Sequence, residues 1–328
     1  MFAFEVNPLI LYPMKYINLL SILLLLLNYK AFAQKSENMK SLFKSEKGKQ
    51  EILSLYDKKL KELNIEFEYQ KVETNFGKTN IIVSGKKSNP PLILIHGSNG
   101  CAPIAFETYP NLNQSFRVYA VDVLAQPNKS DETRLNMKDD SYGKWMNEVI
   151  DSLKIENVSL AGFSFGGLII LKTLEYDESK IKEVFLAAPA YIVNGNPFKA
   201  LFKFFIPMKK YMKTQKLKYV EKFLSEVFTE RDEFAIQYLS KVFQFFEMDF
   251  TPVPVIDKNK AQLIRTPITL FTAENDVIFP GKKMLKRANK IFPSLKKGIL
   301  LEGSKHVQSK NDNLKIEQII TSNKPYKN

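Results

Sequence analysis

The sequence predicts an α/β architecture: a mostly parallel central sheet flanked by helices, with a helical segment inserted after the sixth strand. Three observations carry this. Short continuous apolar runs such as "LILIHG" and "VSLAGF" have the pattern of strands buried on both faces. They alternate with amphipathic stretches such as "YGKWMNEVIDSL", and that alternation implies βαβ units around a parallel sheet. The alternation then stops between about 191 and 262, where Phe, Lys, Tyr and Met recur at helical spacing, and resumes at "PITLFTAEND".

Taken in order, the N-terminus reads as a leader. "MKYINLLSILLLLLNYKAFAQ" has a lysine near its start, a leucine-rich core and Ala31-Phe32-Ala33 before Gln34, the three regions of a cleavable secretory signal over residues 1–33. Met14 is then a natural start, and export to the periplasm or medium is expected. Residues 34–64 form a lysine-rich helical segment, with Ile52, Leu53, Tyr56, Leu60 and Leu63 at helical spacing. From 65 to 328 one domain follows. "IEFEYQKVET" alternates like a half-exposed strand, Phe76-Gly77-Lys78 turns the chain, and "TNIIVSG" returns as a second strand. Asn89-Pro90-Pro91 precedes the central strand "LILIHG"; "FRVYAVDV", "NVSLAGF" and "IKEVFLAAPA" are further strands. After the helical insertion come the strand "ITLFT", the helix "GKKMLKRANKIF", the strand "KKGILLEG" and a last helix, "NDNLKIEQIITS".

Composition narrows the chemistry. One cysteine, Cys101, excludes an internal disulfide and a multi-cysteine metal site, and two histidines, His96 and His306, argue against a histidine metal cluster. No cofactor and no metal are called for. The net charge of +13 comes from lysines spread from Lys35 to Lys327, without an arginine-rich block or a base-stacking motif. A solvated basic surface is the plain reading; nucleic acid is not an expected partner, and peripheral contact with an anionic membrane surface is compatible with the charge.

The chemistry centres on "GFSFGG". Ser164 stands between Gly162 and Gly166, with Gly167 following, at the apex of a strand-to-helix turn that exposes a hydroxyl. A serine is a weak nucleophile at neutral pH and needs a base, an acid that fixes the base's tautomer, and donors for an oxyanion. His306, in "EGSKH" after the last strand, is the better placed histidine; His96 ends a buried strand before the small-residue loop "HGSNG". Glu274 and Asp276 both follow the strand "ITLFT". Asp276 leads into an apolar run ending at Pro280, and it completes the chain order Ser164, Asp276, His306.

These residues resemble the α/β-hydrolase superfamily with a helical lid, over nearly all of residues 50–322. "LILIHG" resembles its oxyanion segment, "VYAVDVLAQPNKSD" its fourth-strand segment, "GFSFGG" its nucleophile turn, and "AENDVIFP" and "EGSKH" its acid and histidine loops. The resemblance implies Ser164 as nucleophile, Asp276 as orienting acid and His306 as base. It implies oxyanion donors from the amides of Ser98 and Phe165, with His96 and Gly97 against the substrate, and a lid over about 191–262. Two positions depart from the pattern: Ala125 where glycine is common, and Lys305 where a small residue precedes the histidine. The expected activity is that of a serine esterase, carboxylesterase-like, working through an acyl-enzyme on a small acyl ester. The contrasting expectation is a non-catalytic relative that binds anionic envelope components.

Overall fold

The central strands are buried and the two edge strands are largely exposed, as the sequence patterns require. In the computed structural model, which describes residues 41–322, the outermost strand β1 (Phe67–Thr74) is largely exposed and pairs antiparallel with β2 (Gly77–Ser84). β3 (Pro91–Ile95), β4 (Arg117–Val121), β5 (Val158–Phe163), β6 (Ile181–Ala187) and β7 (Ile268–Ala273) follow, and β8 (Leu295–Leu301) closes the other edge. The sheet order is β1-β2-β4-β3-β5-β6-β7-β8. β2 meets β4 antiparallel; every pairing from β4 to β8 is parallel. The leader expected over residues 1–33 lies outside the described residues.

Alternation along the strands divides the core in two. Ile81, Val83, Ile93, Ile95 and Val121 face one cluster, and Ile82, Leu92, Leu94, Val118 and Ala120 face the other. The helices follow the same division. α1 (Glu46–Glu62) and α2 (Ala102–Thr108) pack with the second cluster; α3 (Ser141–Leu153) and α4 (Phe165–Tyr176) pack with the first. In α3, Trp145 is fully buried and its indole N–H donates to Thr79 Oγ1 at 2.9 Å, so the largest side chain of that face leaves no donor unpaired. α2 is missing from the sequence expectation: its seven residues, with Pro103 in the first turn, are too few to display a period.

Between β6 and β7 the chain is helical, with no named strand among the described residues: α5 (Pro197–Ala200), a π-helical stretch (Leu201–Phe205), α6 (Ile206–Thr214), α7 (Lys218–Val227), α8 (Glu233–Phe245) and α9 (Lys258–Leu263). α10 (Gly281–Ile291) and α11 (Lys310–Ser322) complete the fold.

The topology places the site. After β3 the chain crosses to β4 on one side, whereas after β5 it crosses to β6 on the other. Such a switch opens a crevice at the carboxyl ends of the two neighbouring strands. The loops leaving β3 and β5 are "HGSNG" and the turn at Ser164.

α1 is part of the domain rather than an appendage. Ser45 caps it by accepting from Gly48 N, and Ile52, Leu55, Tyr56 and Leu60 are buried at helical spacing. The Tyr56 hydroxyl reaches across to donate to Asp122 Oδ2 at 2.9 Å, beside Asn80 Nδ2 at 2.8 Å, while Ala102 N donates to Oδ1 at 2.8 Å. Asp122 ends β4 with no solvent exposure, and burial pushes its carboxyl up to about 6 in spite of these donors. At neutral pH it is therefore a buried charge that depends on each donor. Tyr56→Phe removes one without opening a cavity, and should destabilise the protein by about 1–3 kcal/mol. Urea unfolding at pH 7 measures this; an unchanged midpoint would show that α1 is not tied to the sheet through this bond.

Candidate active site

The turn at Ser164 is the most constrained backbone in the site. Its φ of 51° and ψ of −110° lie in a region that residues with a Cβ rarely adopt, which costs on the order of 1–3 kcal/mol. Close packing holds it there. A Cβ on Gly166 would collide with the Ile95 carbonyl oxygen, and one on Gly162 would stand 2.8 Å from the Gly166 carbonyl carbon. Hydrogen bonds fix both sides: Ser164 N donates to Ala187 O at 3.0 Å, and Ala190 N and Gly167 N donate to Ser164 O at 2.9 Å. The glycines of "GFSFGG" thus allow α4 to start directly against the end of β3.

Three side chains from distant segments meet here. His306 Nε2 lies 2.9 Å from Ser164 Oγ, and His306 Nδ1 lies 2.7 Å from Asp276 Oδ2. Asp276 is 4% exposed, and its other oxygen accepts from Ile278 N at 2.7 Å and Phe279 N at 2.9 Å. A carboxylate held by two amides has one oxygen left, and that oxygen faces the imidazole. This selects the tautomer with hydrogen on Nδ1, leaving Nε2 to accept from the serine hydroxyl. Phe163 and Phe279 flank the imidazole, with ring centroids 5.1 and 5.5 Å away. Glu274 is elsewhere: its carboxylate pairs with Lys282 at 2.8 Å and accepts from Gly303 N at 3.0 Å, contacts that hold it below the usual carboxylate range.

The two amides expected to face an oxyanion are those of Ser98 and Phe165. Neither donates to any partner among the described residues. Phe165 N opens α4, where the first amides have no intrahelical acceptor and the helix dipole favours negative charge. Gly97 lies against the serine, since a Cβ there would come within 3.4 Å of Ser164 Cβ.

Two contacts were not legible from motifs. Thr229, in the loop after α7, brackets the histidine: Lys305 N donates to its Oγ1 at 2.9 Å, and its own hydroxyl donates to Val307 O at 2.7 Å. Backbone bonds from Thr229 N to Val307 O and from Val307 N to Val227 O continue the seam. Lys305 extends it, because its ammonium donates to Ser225 O at 2.6 Å. That contact turns the ammonium toward the helical segment.

His96 has a different task from the substrate contact expected of it. It is 2% exposed, its Nδ1 lies 2.7 Å from Gly97 O, and its Nε2 accepts from Val123 N at 3.0 Å. Both ring nitrogens are therefore used inside the protein, fixing the β3 loop to the end of β4. Burial lowers its pKa to about 4, only partly offset by the Gly97 contact. Between the ordinary value of 6.5 and about 4, the unfolded chain holds a proton that the folded chain excludes. The contribution of neutral His96 to stability is thus full above pH 6.5 and falls with pH, by up to about 1.4 kcal/mol per pH unit. Asp122, with its raised pKa, acts with the opposite sign between about 6 and 3.8, so a site-resolved readout is needed. In proton NMR, one of the two histidine ring signals should stay at its neutral position at pH 5, and it should persist in His306→Ala. Titration of that signal near pH 6.5 would contradict the buried, doubly bonded ring.

Comparison with known proteins agrees with this architecture. Residues 90–234 match the family model described as alpha/beta hydrolase fold. Carboxylesterase YbfK of Bacillus subtilis (strain 168) is 36% identical over 135 residues, which is 41% of this chain and 46% of that protein. The match thus spans about half the length of that relative. The uncharacterized carboxylesterase nap of the same organism is 26% identical over 250 residues, 73% of this chain and 80% of that one. Among solved structures, naproxen esterase from Bacillus subtilis superposes with a TM-score of 0.72 at 22% identity, covering 83% of this chain and 96% of that one. CesB (YbfK), also from Bacillus subtilis, gives 0.71 at 23% identity, covering 84% and 98%. Sheet order, the strained serine turn and these likenesses agree: the chain has the alpha/beta hydrolase fold.

Proposed function

We propose that this protein is a serine esterase that cleaves small carboxylic esters through an acyl-enzyme on Ser164. The observation that carries the reading is the buried bridge of His306 between Ser164 and Asp276, at 2.9 and 2.7 Å. The carboxylesterase names of the two relatives point the same way. Ser164 Oγ attacks the ester carbonyl carbon as His306 Nε2 takes its proton, and Asp276 stabilises the imidazolium that forms. The oxyanion is met by the amides of Phe165 and Ser98, which have no other partner to give up. His306 then protonates the departing alkoxide. A water molecule, deprotonated in turn by His306, releases the acid and restores the serine. The helices between β6 and β7 act as a lid over this site, and their aromatic content suits an apolar acyl or aryl group.

A fluorophosphonate probe should label the folded wild type and leave Ser164→Ala unlabelled; a folded wild type that resists the probe would refute the esterase. Asp276→Asn should lower kcat on aryl esters by orders of magnitude, about 10⁴ in the serine-protease template, because the imidazole then favours the wrong tautomer. Glu274→Gln should change it by less than about threefold, since Glu274 is engaged by Lys282 at the surface. Comparable losses in the two variants would reassign the acid.

Thr229 is proposed as a positioning residue for the base. Thr229→Val keeps the shape and removes the hydroxyl's bonds to Lys305, Val307 and Ser304, and should lower kcat roughly tenfold while KM stays near the wild-type value. Thr229→Ser should recover most of the loss. A Thr229→Val protein with unchanged kcat, or a Ser variant no better than Val, would show that the seam is structural only.

A further inference from the structure

The stretch from α5 through α6 has two faces of opposite fate. On one, Phe204, Met208 and Tyr211 are buried against the domain. On the other, Phe198, Leu201, Phe202 and Phe205 recur at the spacing of one helical face and stand in solvent, with Phe198 72% and Phe202 64% exposed. Phe250 extends this face: it is half exposed, and its ring centroid lies 5.6 Å from that of Phe205. Rotation of the helix cannot hide these rings, because the opposite face is already committed to the core.

Charge says what suits this face. From 197 to 222 the chain carries eight lysines against one glutamate, Glu221. Glu221 is bound by Arg231, and Lys203 is matched by Glu226 from the neighbouring helix. Lys199, Lys209 and Lys213 are exposed and have no carboxylate partner among the described residues; Lys210 lies over the Tyr219 ring instead. Asp249, next to Phe250, is the acidic group at this edge and accepts from Thr251 N. An aromatic stripe rimmed by unpaired lysines is unfavourable in water. It is favoured at a boundary between hydrocarbon and anionic headgroups, where rings enter the interface and lysines remain at headgroup level.

We propose that this face docks the protein onto an anionic lipid surface, with Phe198, Leu201, Phe202 and Phe205 entering the interface. The docked face adjoins the candidate active site through the chain itself. Just before α5, Gly195 N donates to Ile278 O at 2.8 Å, and Ile278 N in turn holds Asp276. Docking is a property of the surface and does not require that Ser164 be reactive.

A local probe tests this without interference from other parts of the chain. Cys101 is fully buried and its thiol is pushed up by burial, so an added exposed cysteine can be labelled selectively. Full-length Leu201→Cys carrying nitrobenzoxadiazole should shift to the blue with phosphatidylglycerol vesicles and not with phosphatidylcholine vesicles. The same dye on Ser152→Cys, an exposed site outside the face, should not respond. Reversing Lys199, Lys209 and Lys213 to Glu should weaken the apparent partition at least about tenfold, as should high salt. Adding Ser164→Ala should leave the shift intact, which separates this proposal from the esterase reading. No shift at 201 with anionic vesicles would overturn it. So would an equal shift at 152, or a shift that rises with protein concentration in the absence of lipid, which would identify a second copy of the chain as the occupant.

Discussion

The backbone at Ser164 is the constraint around which the rest of the molecule is arranged. A residue with a Cβ does not stay at φ 51° and ψ −110° unless its surroundings leave no alternative. Those surroundings come from every part of the sheet's centre: the end of β3 against Gly166, the amide of Ala190 on the Ser164 carbonyl, and the carbonyl of Ala187 on the Ser164 amide. A strand order that switches direction between β3 and β5 brings these groups together. The strained turn, in exchange, points a hydroxyl out of a nearly closed core and leaves the first amide of α4 without an acceptor. Local instability at one residue is thus what makes this end of the sheet chemically different from the other.

Burial rather than charge governs the polar groups around it. Asp276 and Asp122 are both buried carboxylates, and each is surrounded by donors from several segments. Their partners differ in kind. Asp276 spends two amides on one oxygen and turns the other toward an imidazole that can carry a proton. Asp122 is ringed by Tyr56, Asn80 and backbone amides, which hold α1, β2 and the α2 start to one point. The first arrangement is suited to moving a proton, the second to fixing a position.

Much of this was legible in the sequence because it is written in short-range patterns. Fully apolar runs gave the central strands, and the suspension of alternation located the helical segment. Glycine spacing singled out Ser164, and the scarcity of histidine left His306 as the residue after the last strand. Glu274 and Asp276, two positions apart, were separated only by the direction the chain takes after β7, and there the apolar run to Pro280 was the useful signal. What was not legible depends on partners far away in the chain. Thr229 meets Lys305 and Val307 across more than seventy positions, and Tyr56 meets Asp122 across more than sixty. No local period encodes such contacts. His96 was read as the end of a buried strand set against the substrate, yet the amide that engages its ring belongs to Val123. Ala125, at the position where glycine was expected, has φ 54°, which supplies the reason for that expectation.

The seam between Thr229 and the His306 loop has a mechanical consequence. The helices between β6 and β7 are bonded near their start to the Asp276 loop, through Gly195 and Ile278, and after α7 to the His306 loop, through Val227, Thr229 and Val307. Ser164 itself is 8% exposed. Under the proposed esterase and lid reading, if these helices swung aside as a rigid door, both loops would be dragged along and the hydroxyl would lose its proton acceptor as it became accessible. Admission and reactivity would then be out of phase, like the two doors of an airlock. On the proposed esterase reading, an ester would meet a reactive Ser164 only while these helices are in place.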